Sequence, residues 1–473
     1  MYIISYTYMP LPRPSTQPKL FASSLCATLD LLQLLAFFRT LPRLCKNLPL
    51  PQGRKRNFYD RLFSPWVTLW GMILQRLLAD HTLENTLQSL CAGHADRLHR
   101  GPKRFSKKVR SRKTTSFSNG RRRLPLAFLK SVFLQLPALL AKKMKGRDWK
   151  GWTLLLFDGT TVRLSPLGNI GRVFSPHSNK KGTGYWCLMR VVVGFCLRSG
   201  LAVACAVGSQ TQSEQALACA LILSAQAKSL ILGDRNFGIF RILQTARHAQ
   251  AAAVVRLTRA RAQRLVGKRS LLPGLDLKLH WRHSRHDQLQ AHCSTQPVEG
   301  RLVVCRIKNP GHKPFDLYLF TTLLDESLYP AKELVALYGF RWHVELNLRY
   351  LKSQMDLGYL NCKSAQMAEK EWYAGLIAYN LIRSMMCLAA VQHTLDPLCL
   401  SFSSSARHIC QILLSWAEGK KIDADSVLAT LAATVLPKRK KPRPNEPRLV
   451  RFLSRRFGQL KGKRCDARQK LRK

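Results

Sequence analysis

Residues 338–352 read Tyr338-Gly-Phe-Arg341-Trp342-His-Val-Glu345-Leu-Asn-Leu-Arg-Tyr-Leu-Lys352. Tyr338, Arg341, Glu345 and Lys352 stand at offsets 0, 3, 7 and 14. On one continuous α-helix, at about 100° per residue, all four fall within roughly a 60° arc. Leu337, Val344, Leu348, Leu351 and Met355 run beside that arc, which predicts a helix held against a core. One carboxylate would then share a ridge with two cations and a phenol. An exposed helix with solvated charges would show the same pattern, so its meaning depends on the carboxylates upstream.

Two lie in similar settings. Trp152-Thr-Leu-Leu-Leu-Phe-Asp158 reads as a short buried strand closed by a carboxylate, and so does Ser229-Leu-Ile-Leu-Gly-Asp234. Between them the sequence predicts strands over Tyr185–Leu197 and Leu201–Val207, joined by the turn Arg198-Ser-Gly200. Ser213-Glu214 is a helix start with a good cap, and that helix is expected to reach about Lys228. A helix from about Gly238 to Gln250 and a strand over Ala251–Leu257 follow. This order suits a mixed sheet flanked by helices, an α/β class. Residues 258–328 interrupt it, with Leu302–Ile307 and Leu317–Thr322 expected to pair across the turn Asn309–Pro314. A long helix over Ala368–Met386 comes after the 338–352 stretch.

The N-terminal third is different. Residues 1–52 are Pro-rich at both ends around an apolar run, Leu31–Phe38, too short to span a bilayer and expected as a packed helix. Phe63, Trp66, Leu69, Trp70, Ile73 and Leu77 recur at helical spacing, which predicts a small helical bundle. Arg97 to Arg123 is rich in Lys and Arg, and no acid follows until Asp148. Such a run is either a solvated linker or a DNA-backbone contact, since each neutralised phosphate releases counterions. A helix over Leu124–Lys143 closes this part, and the tail from Lys438 is basic, Pro-bearing and expected to be loose.

With 77 basic and 26 acidic residues the net charge is +51, which speaks of a polyanionic partner. Nucleic acid is the stronger candidate and a membrane surface the weaker. The 473 residues imply two or three folded units. The 14 cysteines are scattered, mostly in apolar runs, and read as buried reduced thiols of a cytosolic protein. His280, His283 and His286 have cationic neighbours Arg282 and Arg285 and do not read as metal ligands.

Sites in open sheets gather where strands end. Two facing carboxylates are costly unless they share a proton or a cation. A hard ion, Mg²⁺ or Mn²⁺, takes such oxygen ligands. With Glu345 added, Asp158 and Asp234 supply enough anionic ligands for two metals, the arrangement used for in-line phosphoryl displacement. Singly, each Asp could equally be turn punctuation.

These residues resemble the bacterial DDE transposases of the group named after insertion sequence 4. The match is Asp158 in Phe-Asp-Gly-Thr, Asp234 in Gly-Asp-Arg-Asn-Phe-Gly, and the Y-x2-R-x3-E-x6-K spacing of Tyr338, Arg341, Glu345 and Lys352. It extends to Thr321-Thr-Leu-Leu-Asp325 and Ala378-Tyr-Asn-Leu-Ile-Arg383, and covers roughly residues 55–455. Asn236 departs from it, standing where many relatives have Gly.

The resemblance implies an RNase H-like mixed-sheet catalytic core with a β-rich insertion, preceded by a helical DNA-binding domain. The expected parts are a 1–52 extension, a 53–148 end-binding domain and a core over 149–257 and 329–395. The insertion would occupy 258–328, and a C-terminal helical region with a basic tail 396–473. It implies Mg²⁺-dependent cleavage at terminal inverted repeats and strand transfer into target DNA, by at least a dimer on DNA. Asp158, Asp234 and Glu345 would hold the metals, and Tyr338, Arg341 and Lys352 would contact phosphates. Trp342 could stack a flipped base or simply pack its helix; Trp281 is read as a packing residue. A bacterial, nucleoid-associated protein without a membrane role is expected. A nuclease without strand transfer, or a non-catalytic regulator derived from a transposase, would share many of these features.

Overall fold

The computed structural model describes residues 62–99, 103–109, 111–143, 149–179, 182–267, 269–284, 296–307, 314–436 and 469. The expected Leu31–Phe38 helix, His286, most of the turn over 309–314 and the tail from Lys438 lie outside them. The described chain forms two compact units, a larger one of 62–230 with 342–436 and a smaller one of 231–341.

The larger unit starts with helices α1 (Pro65–Leu77), α2 (Leu83–Cys91), α3 (Phe105–Lys108), α4 (Thr115–Arg123) and α5 (Leu126–Lys143). Ser64 and Thr82 cap α1 and α2, their side chains accepting from Val67 N and Asn85 N. The basic run is folded here. Phe105 and Phe117 are buried against Phe63, ring centroids 5.5 Å away in each case, while Lys103, Arg104, Lys107, Arg112, Lys113, Arg122 and Arg123 are exposed. Two aromatic anchors thus turn a self-repelling segment into a cationic surface.

The sheet of this unit contains β1 (Thr153–Leu164), then, after the short helix α6 (Ile170–Val173), β2 (Pro176–Asn179), β3 (Gly182–Cys196) and β4 (Ala202–Gly208). β3 pairs antiparallel with β1, β2 and β4. Helix α7 (Glu214–Leu223) stops five residues before the expected Lys228 and precedes β5 (Ser229–Gly233), a strand that crosses from one unit into the other.

In the smaller unit, α8 (Phe240–His248), β6 (Ala252–Arg256) and α9 (Arg259–Val266) lead to β7 (Asp276–Trp281), β8 (Val298–Ile307) and β9 (Phe315–Thr321). The order β6-β9-β8-β7 is antiparallel throughout, so the strands expected as an insertion are hydrogen-bonded onto β6. Arg301 on β8 is fully buried and pairs with Asp276 through both guanidinium arms, and its Nη1 also donates to the Tyr329 carbonyl at 3.0 Å. Trp281 is buried edge-on to Phe320, a packing residue as expected. Helix α10 (Ala331–Gly339) ends this unit.

The chain returns to the larger unit with α11 (Trp342–Arg349), β10 (Tyr359–Leu360), α12 (Ala365–Gln392), α13 (Phe402–Glu418) and α14 (Ala424–Ala432). β10 lies parallel to β1, which makes this sheet mixed. Helix α12 is long and apolar enough to cross a membrane, yet it is buried along almost its whole length. α1 and α5 pack on it. Buried Glu371 bridges Arg76 of α1 and Arg121 of α4, and Lys370 Nζ donates to the Arg122 carbonyl at 2.9 Å. Burial, with Arg121 adding to it, pulls the Lys370 ammonium down to about 8.

Candidate functional site

The decisive stretch is not one helix. It breaks at Phe340 and Arg341, whose amides bond back only three residues to Leu337 O and Tyr338 O, both at 3.0 Å. Gly339, a poor helix former, sits at the break. A second irregularity follows, a π-helical turn over Tyr350–Gln354 in which Met355 N donates to Tyr350 O. The continuous helix expected to carry Tyr338, Arg341, Glu345 and Lys352 is therefore interrupted twice. Tyr338 and Arg341 belong to the smaller unit, Trp342, Glu345 and Lys352 to the larger.

In the larger unit Asp158 lies within β1, opposite Val193, not at its end as the sequence suggested. Strand pairing continues to Leu164, because Thr160, Thr161 and Val162 are good strand formers facing β3. Asp158 Oδ1 accepts from Gly159 N at 2.8 Å. A Cβ at residue 159 would lie 2.5 Å from the Glu214 carboxyl carbon, so a larger residue there would displace the Glu214 side chain. Thr160, two positions on and so on the Asp158 face of the strand, accepts from Lys352 Nζ at 3.2 Å. Helix α11 packs against β1 and carries half-buried Glu345 in its first turn. Trp342 is 52% exposed and lies outside the core.

The Ala378–Arg383 motif has a structural part in this unit. Tyr379 Oη donates to Gly200 O at 2.7 Å, and the Asn380 amide bonds both Ala202 N and Ala202 O, holding the β3–β4 turn. Arg383 Nη2 donates to Asn347 Oδ1 at 2.8 Å and so fixes α11. Burial, with Arg383 acting the same way, pushes His343 on α11 down to about 4, so its ring is neutral at pH 7.

In the smaller unit Asp234 directly follows β5. Its Oδ1 accepts from Asn236 N at 2.8 Å and Phe237 N at 3.3 Å, an Asx-type turn. Arg261 pins this turn by donating to Gly238 O at 2.6 Å. Around Asp234 the unit gathers Arg235, Arg256, Tyr338 and Arg341. Burial pushes the Tyr338 phenol up to about 12; the Arg341 and Arg256 cations oppose that rise and Asp234 adds to it. Its buried hydroxyl finds no acceptor among the described residues, and the Arg341 guanidinium lies 6.0 Å from its ring centroid. Burial also weakens the charged form of Arg256; Tyr338 and Asp234 counter it, and the Arg235 and Arg341 cations reinforce it. Arg256, Tyr338, Arg341 and Asp234 are thus close enough to influence one another's charge, and the cations outnumber the carboxylate. Sequence reasoning missed Arg256, although its position after four buried residues of β6 matches that of Asp234 after β5.

Among the described residues, no three His, Cys, Asp or Glu side chains are grouped closely enough to hold a metal ion. Asp158 and Glu345 stand on packed elements of one unit and Asp234 in the other. By donor chemistry the three carboxylates suit a hard divalent ion.

Residues 149–381 match the family model described as the transposase DDE domain. The chain is 26% identical over 304 residues to the transposase InsG of insertion sequence element IS4 from Escherichia coli strain K12. That match covers 62% of this chain and 66% of the relative, just under two thirds of its length. A cryo-EM structure of the piggyBac transposase synaptic complex with hairpin DNA aligns over 89% of this chain and 88% of its own, with 13% identity and a TM-score of 0.43.

Proposed function

We propose that this chain, which matches the transposase DDE domain over residues 149–381 and is similar to the transposase of insertion sequence 4, is a DDE transposase that cuts DNA at the terminal inverted repeats of an insertion sequence and joins the freed ends to target DNA. The catalytic core is read as RNase H-like, with 258–328 as its insertion. The observation that carries the proposal is the match of residues 149–381 to the transposase DDE domain, with Asp158, Asp234 and the Tyr338, Arg341, Glu345 and Lys352 spacing inside it, and the mutual electrostatic influence of Asp234, Arg256, Tyr338 and Arg341 supports it.

In this reading Arg256 and Arg341 hold the non-bridging oxygens of a phosphodiester, and the Tyr338 hydroxyl, still protonated at neutral pH, donates to the same group. Lys352, steadied by Thr160, holds a second phosphate on the Asp158 face of β1. The exposed Trp342 ring stacks on an unpaired base beside the cut. Asp158, Asp234 and Glu345 would hold Mg²⁺, or Mn²⁺, which would supply charge stabilisation for the displacement. The exposed cations of 103–123 engage the element end. Two copies act together on paired ends, in the cytoplasm, on nucleoid DNA.

The test is a labelled duplex carrying one element end and its flank, incubated with the full chain and Mg²⁺. Asp158→Ala, Asp234→Ala and Glu345→Ala should each abolish cleavage while the duplex is still bound. Cleavage surviving in any of the three would remove that residue from the metal site. Cleavage by the unaltered chain without any joined product would make it a nuclease instead.

A further inference from the structure

An exposed group of aromatic rings lies in the larger unit, where β3 and β10 flank the end of β1 beyond Asp158. Tyr185 and Trp186, on β3, are 68% and 38% exposed. Their ring centroids are 4.9 Å apart at 82°, and Trp186 meets Tyr359 of β10 at 5.0 Å and 75°. The register explains the meeting. Arg163 pairs with Leu188 on one side and Tyr359 on the other, and Trp186 lies two residues before Leu188, so Arg163, Trp186 and Tyr359 share a face. Tyr359 is fixed by a 2.7 Å hydrogen bond between its hydroxyl and Ser165 Oγ.

Large exposed rings are costly to leave in water, and their surroundings say what would cover them. From residue 159 to residue 213 the chain has no Asp or Glu, but it has Arg163, Arg172, Lys180, Lys181, Arg190 and Arg198. Arg163 itself is exposed beside Tyr359. Exposed rings beside the exposed Arg163 guanidinium, on a stretch of chain without an acid, are complementary to a polyanion that offers flat apolar faces. Duplex DNA hides its base faces; a single strand exposes them.

We propose that Tyr185, Trp186 and Tyr359, with Arg163, form a stacking platform for an unpaired DNA strand. Tyr185 and Trp186 present ring faces to successive bases, Tyr359 braces Trp186 from behind, and Arg163 meets the backbone. This platform lies apart from the residues assigned to cleavage and does not depend on them.

The experiment measures binding of the full chain to a fluorescent oligothymidylate of about 16 nucleotides, in EDTA and across a range of salt. The probe carries no element end, so the result is separable from failure of the cleavage proposal. The pair Tyr185→Ala with Trp186→Ala should raise Kd at least about tenfold, with an unchanged salt slope. The pair Tyr185→Phe with Trp186→Phe keeps the ring faces and should bind within about twofold of the parent. Arg163→Gln should instead flatten the salt slope by about 0.7. Unchanged Kd in the alanine pair would overturn the proposal. So would loss of self-association in that pair by sedimentation with strand binding intact, which would make the face an interface between copies.

Discussion

Asp234 follows the last residue of a five-residue buried strand and turns the chain, whereas Asp158 occupies the sixth position of a twelve-residue strand that stays paired on both sides of it. The sequence presents both as apolar runs ending in a carboxylate. In the fold, Asp234 serves its own turn through two backbone amides, while Asp158 accepts from the amide of the glycine that follows. One carboxylate therefore has a local structural task in addition to any chemistry, and the other is held in place by the ladder around it. Their neighbours differ in the same sense. Asp234 sits among three arginines and a tyrosine; Asp158 shares its strand face with a threonine-tethered lysine.

Neutralising the two acids sharpens this contrast and carries the largest effects. Asp158→Asn and Asp234→Asn should both lower cleavage by about a thousandfold or more. Their stabilities should separate from those of the alanine variants at one site only. Asn retains an oxygen that can accept from Asn236 N and Phe237 N, so Asp234→Asn should stay within ~0.5 kcal/mol of the parent and Asp234→Ala should cost about 1 kcal/mol. Denaturant unfolding of the four variants checks this, and equal costs for Asn and Ala at residue 234 would remove the turn from the account.

The next contrast is between the buried ion pairs of the two units. Glu371→Gln leaves Arg76 and Arg121 buried without their carboxylate and should cost about 3–5 kcal/mol. Arg301→Met should cost less, because the Asp276 side chain is 21% exposed and can rehydrate. Urea midpoints of the two variants would settle the order.

A pH effect belongs to the larger unit. His343 has a folded-state pKa of about 4 against 6.5 for the free group. The unfolded chain takes up the proton first as pH falls, so stability is full above pH 6.5 and is lost progressively between 6.5 and 4, by on the order of 3 kcal/mol. His343→Gln should flatten that window, read as unfolding free energy at pH 7 and pH 4.5. The smallest effect is at Arg256. Replacing it with Gln should weaken binding of duplex DNA about tenfold and flatten its salt slope by about 0.9, and an unaltered slope would take Arg256 out of the proposed phosphate contact.

Much of the fold was legible from periodicity. The alternation and β-branching of Tyr185–Leu197, and the Ser213 cap, place β3 and the start of α7 to within a few residues. The three acids and the Y-x2-R-x3-E-x6-K spacing were legible too, because spacing survives in sequence whatever the backbone does. The geometry behind the spacing was not. A regular helix was assumed through Gly339, and neither the turn at Phe340–Arg341 nor the π-helical turn after Tyr350 has a sequence mark stronger than one glycine. Asp158 looked terminal because a Gly-Thr pair reads as a turn, whereas Gly159 and Thr160 continue the β1 ladder opposite Val192 and Val191. β7 was missed because its alternating Asp-Leu-Lys-Leu-His-Trp pattern was judged for metal ligands and not for register. Arg256 was missed because its partners come from α10, more than 80 residues further along the chain.

The central claim is that Asp158, Asp234 and Glu345 jointly bind divalent metal when DNA is present. It is tested most directly by titrating Mn²⁺ into the full chain assembled on end DNA and reading bound ion by electron paramagnetic resonance. The account predicts bound Mn²⁺ that is lost in Asp158→Asn, in Asp234→Asn and in Glu345→Gln alike. Undiminished Mn²⁺ binding in any one of these variants would contradict it.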